Sequence, residues 1–169
     1  MSIVTLKGNQ IETIGVLPEE GMKAPDFSLT ATDLSMKELK DYSGKNKILN
    51  IFPSLDTAVC AASVRRFNQE ASSMNNSVVL CISADLPFAH NRFCEVEGLE
   101  NVISLSSFRS PEFGRNYGVS LISGPLAGLL ARAVIVLDSS NLVIYTELVS
   151  EITEEPDYET ALQVIQDLQ

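Results

Sequence analysis

No tryptophan occurs in this chain, histidine occurs once and cysteine only three times. Aromatic residues make up 7%, so aliphatic side chains must fill the interior. Three cysteines are too few for a disulfide-built domain, and no Cys-x-x-Cys occurs. One histidine, His90, leaves little with which to close a structural zinc site, and no cofactor or metal is expected. Basic residues are scarce: 12 Lys and Arg against 22 Asp and Glu give a net charge of −10. An acidic surface repels phosphate backbones and anionic lipid, which argues against nucleic acid and membrane partners. The apolar runs are too short to span a bilayer, and Met1 to Lys7 lacks the basic-then-apolar pattern of a secretory signal. A cytoplasmic location is therefore expected.

What is present is a 169-residue chain that is 45% hydrophobic, enough for one domain over residues 1–169 with a real core. Val4–Leu6 and Gln10–Ile14 around Gly8-Asn9 predict a hairpin, the core of an N-terminal extension over residues 1–16. Short strands are expected at Phe27–Thr30, Lys47–Phe52, Val78–Ser83 and Val102–Leu105, and a second hairpin at Ala133–Leu137 and Leu142–Leu148. Cys60, Val64, Phe67, Ala71 and Met74 form one stripe of an amphipathic helix, with Asp56 or Thr57 as N-cap. Asp85 and Pro87 open a helix running to about Cys94, Ser110-Pro111-Glu112 a short helix or turn, and Glu155-Pro156-Asp157 the final helix. This order predicts a three-layer α/β domain. It fits a thioredoxin-like fold whose central mixed β-sheet is flanked by helices.

The three cysteines fall in different settings. Cys81 lies inside an apolar strand and is expected to be buried and inert. Cys60 follows a strand ended by Pro53 and sits in the first turn of a helix, where unpaired N–H groups and the macrodipole favour a thiolate. It shares the apolar stripe, so it could equally just pack. Thr57, one turn earlier, is suited to capping or to hydrogen-bonding an anion beside Cys60. Cys94 ends the next helix as a half-exposed thiol, and His90 one turn before it reads as a surface residue able to share its face. Cys60 and Arg66 also match a Cys-x5-Arg phosphatase loop. On a helix, however, those two side chains lie about 120° apart and cannot surround one phosphate.

Pro53-x3-Thr57-x2-Cys60 resembles the active-site signature of peroxiredoxins. The likeness extends to Asn50–Thr57, Val64–Asn68, Cys81–Ala89, Arg92–Cys94, Gly124–Leu126 with Ala131–Ala133, and Glu154–Tyr158. Together these resemble the bacterial thiol peroxidases, atypical two-cysteine peroxiredoxins. The resemblance implies Cys60 as peroxidatic cysteine, Cys94 as resolving cysteine of the same subunit, Arg132 as active-site arginine and Pro53 as a shield over the sulfur. From pattern alone Arg132 is a solvent-facing charge at a strand entrance.

The implied activity is reduction of hydrogen peroxide and alkyl hydroperoxides through a Cys60 sulfenic acid and a Cys60–Cys94 disulfide. Thioredoxin is the implied reductant, and a homodimer the implied assembly. The disulfide requires local unwinding around both cysteines. A peroxide sensor that relays oxidation to a partner protein without turnover remains the alternative.

Overall fold

A nearly continuous apolar strand must be covered on both faces, and the chain achieves this with a seven-stranded sheet between two layers. The computed structural model describes residues 1–169. In chain order the elements are β1 (Ile3–Leu6), β2 (Asn9–Glu12), β3 (Ser28–Ala31), β4 (Met36–Glu38), β5 (Asn46–Ile51), α1 (Ala58–Ala71), β6 (Ser77–Ser83), α2 (Pro87–Glu97), β7 (Ile103–Ser106), α3 (Pro111–Asn116), β8 (Ala133–Leu137), β9 (Val143–Leu148) and α4 (Tyr158–Asp167). A 3-10 turn occupies Leu39–Tyr42. The sheet order is β4-β3-β7-β6-β5-β8-β9, with β5, β6 and β7 parallel and the remaining pairs antiparallel. This is the thioredoxin-like arrangement with a mixed sheet, and β1 and β2 form a separate antiparallel hairpin.

Side-chain alternation divides the core in two. Ile48, Val79, Cys81, Val134 and Val136 face α1 and α4, packing with Cys60, Val64, Phe67, Ala161 and Ile165. Leu49, Ile51, Leu80, Ile82, Ala133 and Ile135 face the other way, toward Phe113 and Tyr117 and the hairpin residues Val4 and Ile11. Phe113 and Tyr117 stack with ring centroids 4.6 Å apart on that side, while Phe52 and Phe67 belong to the α1 side.

Local details depart from the sequence expectations. The first hairpin turns at Lys7-Gly8, both with positive φ, so Asn9 opens β2 opposite Leu6. Strand β4 and the 3-10 turn were not expected; Met36-Lys37-Glu38 is short and polar, and acquires strand character only by pairing with β3. Helix α2 runs past Cys94 to Glu97, where Gly98 ends it at φ 66, its N–H returning to the Cys94 carbonyl.

His90 corrects the sequence reading most sharply. It is 1% exposed, not a surface residue. Its Nε2 lies 3.0 Å from Ser83 Oγ, whereas Cys94 Sγ lies 3.3 Å from Ser104 Oγ, so the two side chains address different strands. Ser83 Oγ donates its only proton to Asp85 Oδ2 at 2.5 Å, so His90 must donate through Nε2–H. Its Nδ1 is then a buried acceptor without a partner. Burial pushes the imidazole from its ordinary 6.5 down to about 4, against a smaller opposing pull from Asp85.

The folded pKa lies below the unfolded one, so the unfolded chain binds the proton first. Stability should be fully present above pH 6.5 and fall as the pH drops from there toward 4. Urea midpoints measured across that window should decline in the wild type and decline less in His90→Gln. Equal slopes would show that His90 does not titrate on unfolding.

Candidate active site

Parity on β8 decides where Arg132 points. Val134 and Val136 face α1, and Arg132, just before the strand, continues that side. It is buried at 2% exposure, contrary to the solvent-facing reading from pattern alone. Nε and Nη2 donate to the Ile152 carbonyl at 3.0 and 2.9 Å, and Nη2 also donates to Cys60 Sγ at 3.3 Å. Nη1 is buried with no partner. A free donor thus stands on the same guanidinium that touches the sulfur.

Cys60 is 0% exposed, in the first turn of α1. Thr57 occupies the N-cap with extended backbone, but its hydroxyl does not cap; it donates to the Ser54 carbonyl at 3.2 Å. The N–H groups of Ala58, Val59 and Cys60 make no hydrogen bond within the protein, leaving the positive end of the helix open. Pro53 is buried where β5 gives way to the Ser54–Thr57 turn. Pro53, Thr57 and Arg132 line one cleft of about 480 Å³, together with Val59, Leu126, Leu129 and Ile152. The structure therefore brings Cys60, Arg132, Thr57 and Pro53 to one place.

Cys94 lies elsewhere. It is half-buried on α2, its sulfur against Ser104 of β7, and all three cysteines are free thiols. Cys81 is fully buried in β6, and burial pushes its thiol up to about 12 against a weaker opposing hydrogen bond from Asn50. The Cys-x5-Arg segment is helical throughout, and Arg66 is exposed beside Glu70 at 3.3 Å, so no phosphate loop exists.

Two contributors were not visible in the sequence. The Ile152 carbonyl, which orients Arg132, is a backbone group and carries no residue signature. Glu151 beside it accepts bonds from Thr5 Oγ1 at 2.8 Å and from the Lys7 and Gly8 N–H groups at 3.0 Å. The Gly8 N–H foremost, then Thr153 Oγ1 and Thr5 Oγ1, hold its carboxyl well below the usual range, and the bonds from Thr5, Lys7 and Gly8 pin the β1–β2 turn, so that Leu6 and Lys7 form one cleft wall.

In the native reduced protein at pH 7, a small alkylating reagent should modify Cys94 while sparing Cys81. Peptide mapping reads this out, and comparable labelling of Cys81 would contradict its burial.

A Redoxin family model matches residues 19–162. The chain is 52% identical over 165 residues to a thiol peroxidase of Mycobacterium bovis, covering 98% of this chain and 99% of that one. Among solved structures, a peroxiredoxin-like protein from Aquifex aeolicus matches with a TM-score of 0.94 at 37% identity, over 100% of this chain and 98% of that one. A thiol peroxidase from Chromobacterium violaceum matches with a TM-score of 0.87 at 25% identity, over 98% and 95%. The chain belongs to the Redoxin family, to its thiol peroxidase branch, and is a peroxiredoxin-type peroxidase.

Proposed function

We propose that this enzyme reduces hydrogen peroxide and alkyl hydroperoxides with Cys60 as the attacking sulfur. The observation that carries the reading is the Arg132–Cys60 contact at 3.3 Å, on a guanidinium that keeps one buried donor free. Cys60 sulfur in its thiolate form attacks the terminal oxygen of the hydroperoxide. The O–O bond breaks, Cys60 becomes a sulfenic acid, and an alkoxide or hydroxide leaves and takes up a proton. Arg132 Nη1 and the unpaired first-turn N–H groups are the donors available to the peroxide oxygens, and the Thr57 hydroxyl joins them by turning its proton away from the Ser54 carbonyl. Pro53, a lining residue of the cleft, is assigned to shielding the sulfur, and the apolar wall of Leu126, Leu129 and Ile152 suits an alkyl chain.

Cys94 then attacks the sulfenic sulfur, water leaves, and a Cys60–Cys94 disulfide protects Cys60 from further oxidation. Each sulfur starts on its own partner, Arg132 or Ser104, so α2 must give way. Only Pro87 and His90 of α2 are fully buried, against five residues of α1, which makes α2 the element that yields more easily. A thioredoxin dithiol returns both cysteines to thiols by exchange. Three free thiols suit a reducing compartment, and the cytoplasm is the proposed location.

Cys60→Ser should lose peroxide consumption, whereas Cys94→Ser should reduce one equivalent and stop. Arg132→Lys should lower kcat/KM by about two orders of magnitude, because an ammonium cannot serve both Ile152 and Cys60. Coupled turnover with thioredoxin measures all three. Full activity in Cys60→Ser would sink the reading, and oxidation without turnover in the wild type would favour a sensor.

A homodimer is proposed through Phe88 and Phe108, 66% and 64% exposed, which line one open depression with Leu86 and Arg92. Sedimentation should give a dimer for the wild type and a monomer for the Phe88→Lys, Phe108→Lys double variant. An unchanged mass would move the interface elsewhere.

A further inference from the structure

The two cysteine-bearing segments are tied together by one side chain. Asp85 lies in the link between β6 and α2. Its Oδ1 accepts from Ser54 Oγ at 2.8 Å, and its Oδ2 accepts from the Leu55 N–H at 2.8 Å and from Ser83 Oγ at 2.5 Å. Its own carbonyl accepts from Ser106 Oγ at 2.6 Å, anchoring the link to β7.

Ser54 and Leu55 belong to the turn that leads into α1. Ser54 Oγ also accepts from the Asp56 N–H at 3.1 Å, and the Ser54 carbonyl accepts from both Thr57 N–H and Thr57 Oγ1, at 3.3 and 3.2 Å. The carboxylate of Asp85 therefore holds the turn that presents Thr57 and Cys60, while its backbone leads directly into the helix bearing Cys94.

Other ties link the Cys60 side to α2, and they lie nearer the surface. Arg65 grips Glu97 with two bonds, at 2.8 and 2.9 Å, and lies 5.9 Å over the Phe93 ring, while Arg92 stands 3.8 Å from Asp56 with both side chains mostly exposed. The Asp85 bonds are partly buried, charge-assisted and multiple.

We propose that Asp85 is a positioning residue that latches the Cys60 turn to the start of α2 and sets the rate at which the disulfide forms. The inference rests on the Cys60–Cys94 cycle above. In that step the Cys60 S–OH and the Cys94 S–H become an S–S bond and one molecule of water, with no outside oxidant or reductant. With the latch closed, the site is arranged for peroxide and Cys94 stays on Ser104. Opening it frees the turn that presents Cys60 and loosens the entry to α2, the helix that carries Cys94 two turns further on.

The chain has no tryptophan to report the steps by fluorescence, so rapid quench with thiol trapping and intact-protein mass is the readout. Reduced full-length wild type, Asp85→Asn and Ser54→Ala are each mixed with hydrogen peroxide. Appearance of Cys60 sulfenic acid, of disulfide and of Cys60 sulfinic acid at excess peroxide is followed. Asp85→Asn should slow sulfenic acid formation, accelerate disulfide formation about fivefold or more, and lower the sulfinic fraction. Ser54→Ala, which removes one latch bond and leaves Asp85 in place, should shift all three in the same directions by less.

A general packing role would slow both steps and raise the sulfinic fraction, and that result would overturn the latch. Unchanged disulfide rates in both variants would overturn it as well. A wild type that forms no Cys60–Cys94 disulfide would instead overturn the underlying cycle, so the two failures are distinguishable.

Discussion

A buried guanidinium has to find acceptors, and Arg132 finds two: the carbonyl of Ile152 and the sulfur of Cys60. Much of the chain is arranged to satisfy that demand. Strand β8 delivers the arginine to the α1 side of the sheet, the segment after β9 supplies the carbonyl, and α1 begins where its first turn meets the guanidinium. Ala133 pairs with Leu148 and Val149 N–H bonds the Arg132 carbonyl, so the arginine and the segment that orients it are held by the same ladder. The donor left without a partner is a cost retained in the fold, and a ligand oxygen arriving in the cleft would relieve it.

The same geometry separates the thiols by chemistry. Asn50, Cys81 and Ser104 lie in one cross-strand row on the α1 face, with Ser63 over Asn50 and Cys94 over Ser104. Cys81 is sealed inside that row, while Cys60 sits beyond it next to a cation. Cys94 stands at its edge on a helix with a mostly exposed face. Three cysteines that composition treats alike thus have three environments, set by strand parity and by which helix covers which row.

Much of this was legible in the sequence because it rests on local periodicity. The stripe from Cys60 to Phe67 identified the buried face of α1, and the unbroken apolar run at Val78–Ile82 identified a strand covered on both sides. What escaped depended on distant partners. His90 is buried because Ser83, on the preceding strand, offers it an acceptor, and nothing in Phe88–Cys94 encodes that. Residue pattern alone gives Arg132 a solvent-facing place, and the carbonyl that holds it inside is invisible to any residue pattern. Met36–Glu38 became a strand only because β3 had an edge to extend.

Strand parity also limits how this chain can change length. A single residue inserted or deleted between Arg132 and Val134 would have to be absorbed as a bulge. Otherwise it would rotate Arg132 to the opposite face of the sheet, among Ala133 and Ile135, where neither Cys60 nor the cleft can be reached. Substitutions on the strand can be graded in their effects. A change of face is all or none, so the spacing from Arg132 to Val134 is under stricter constraint than most of the residues that fill the strand.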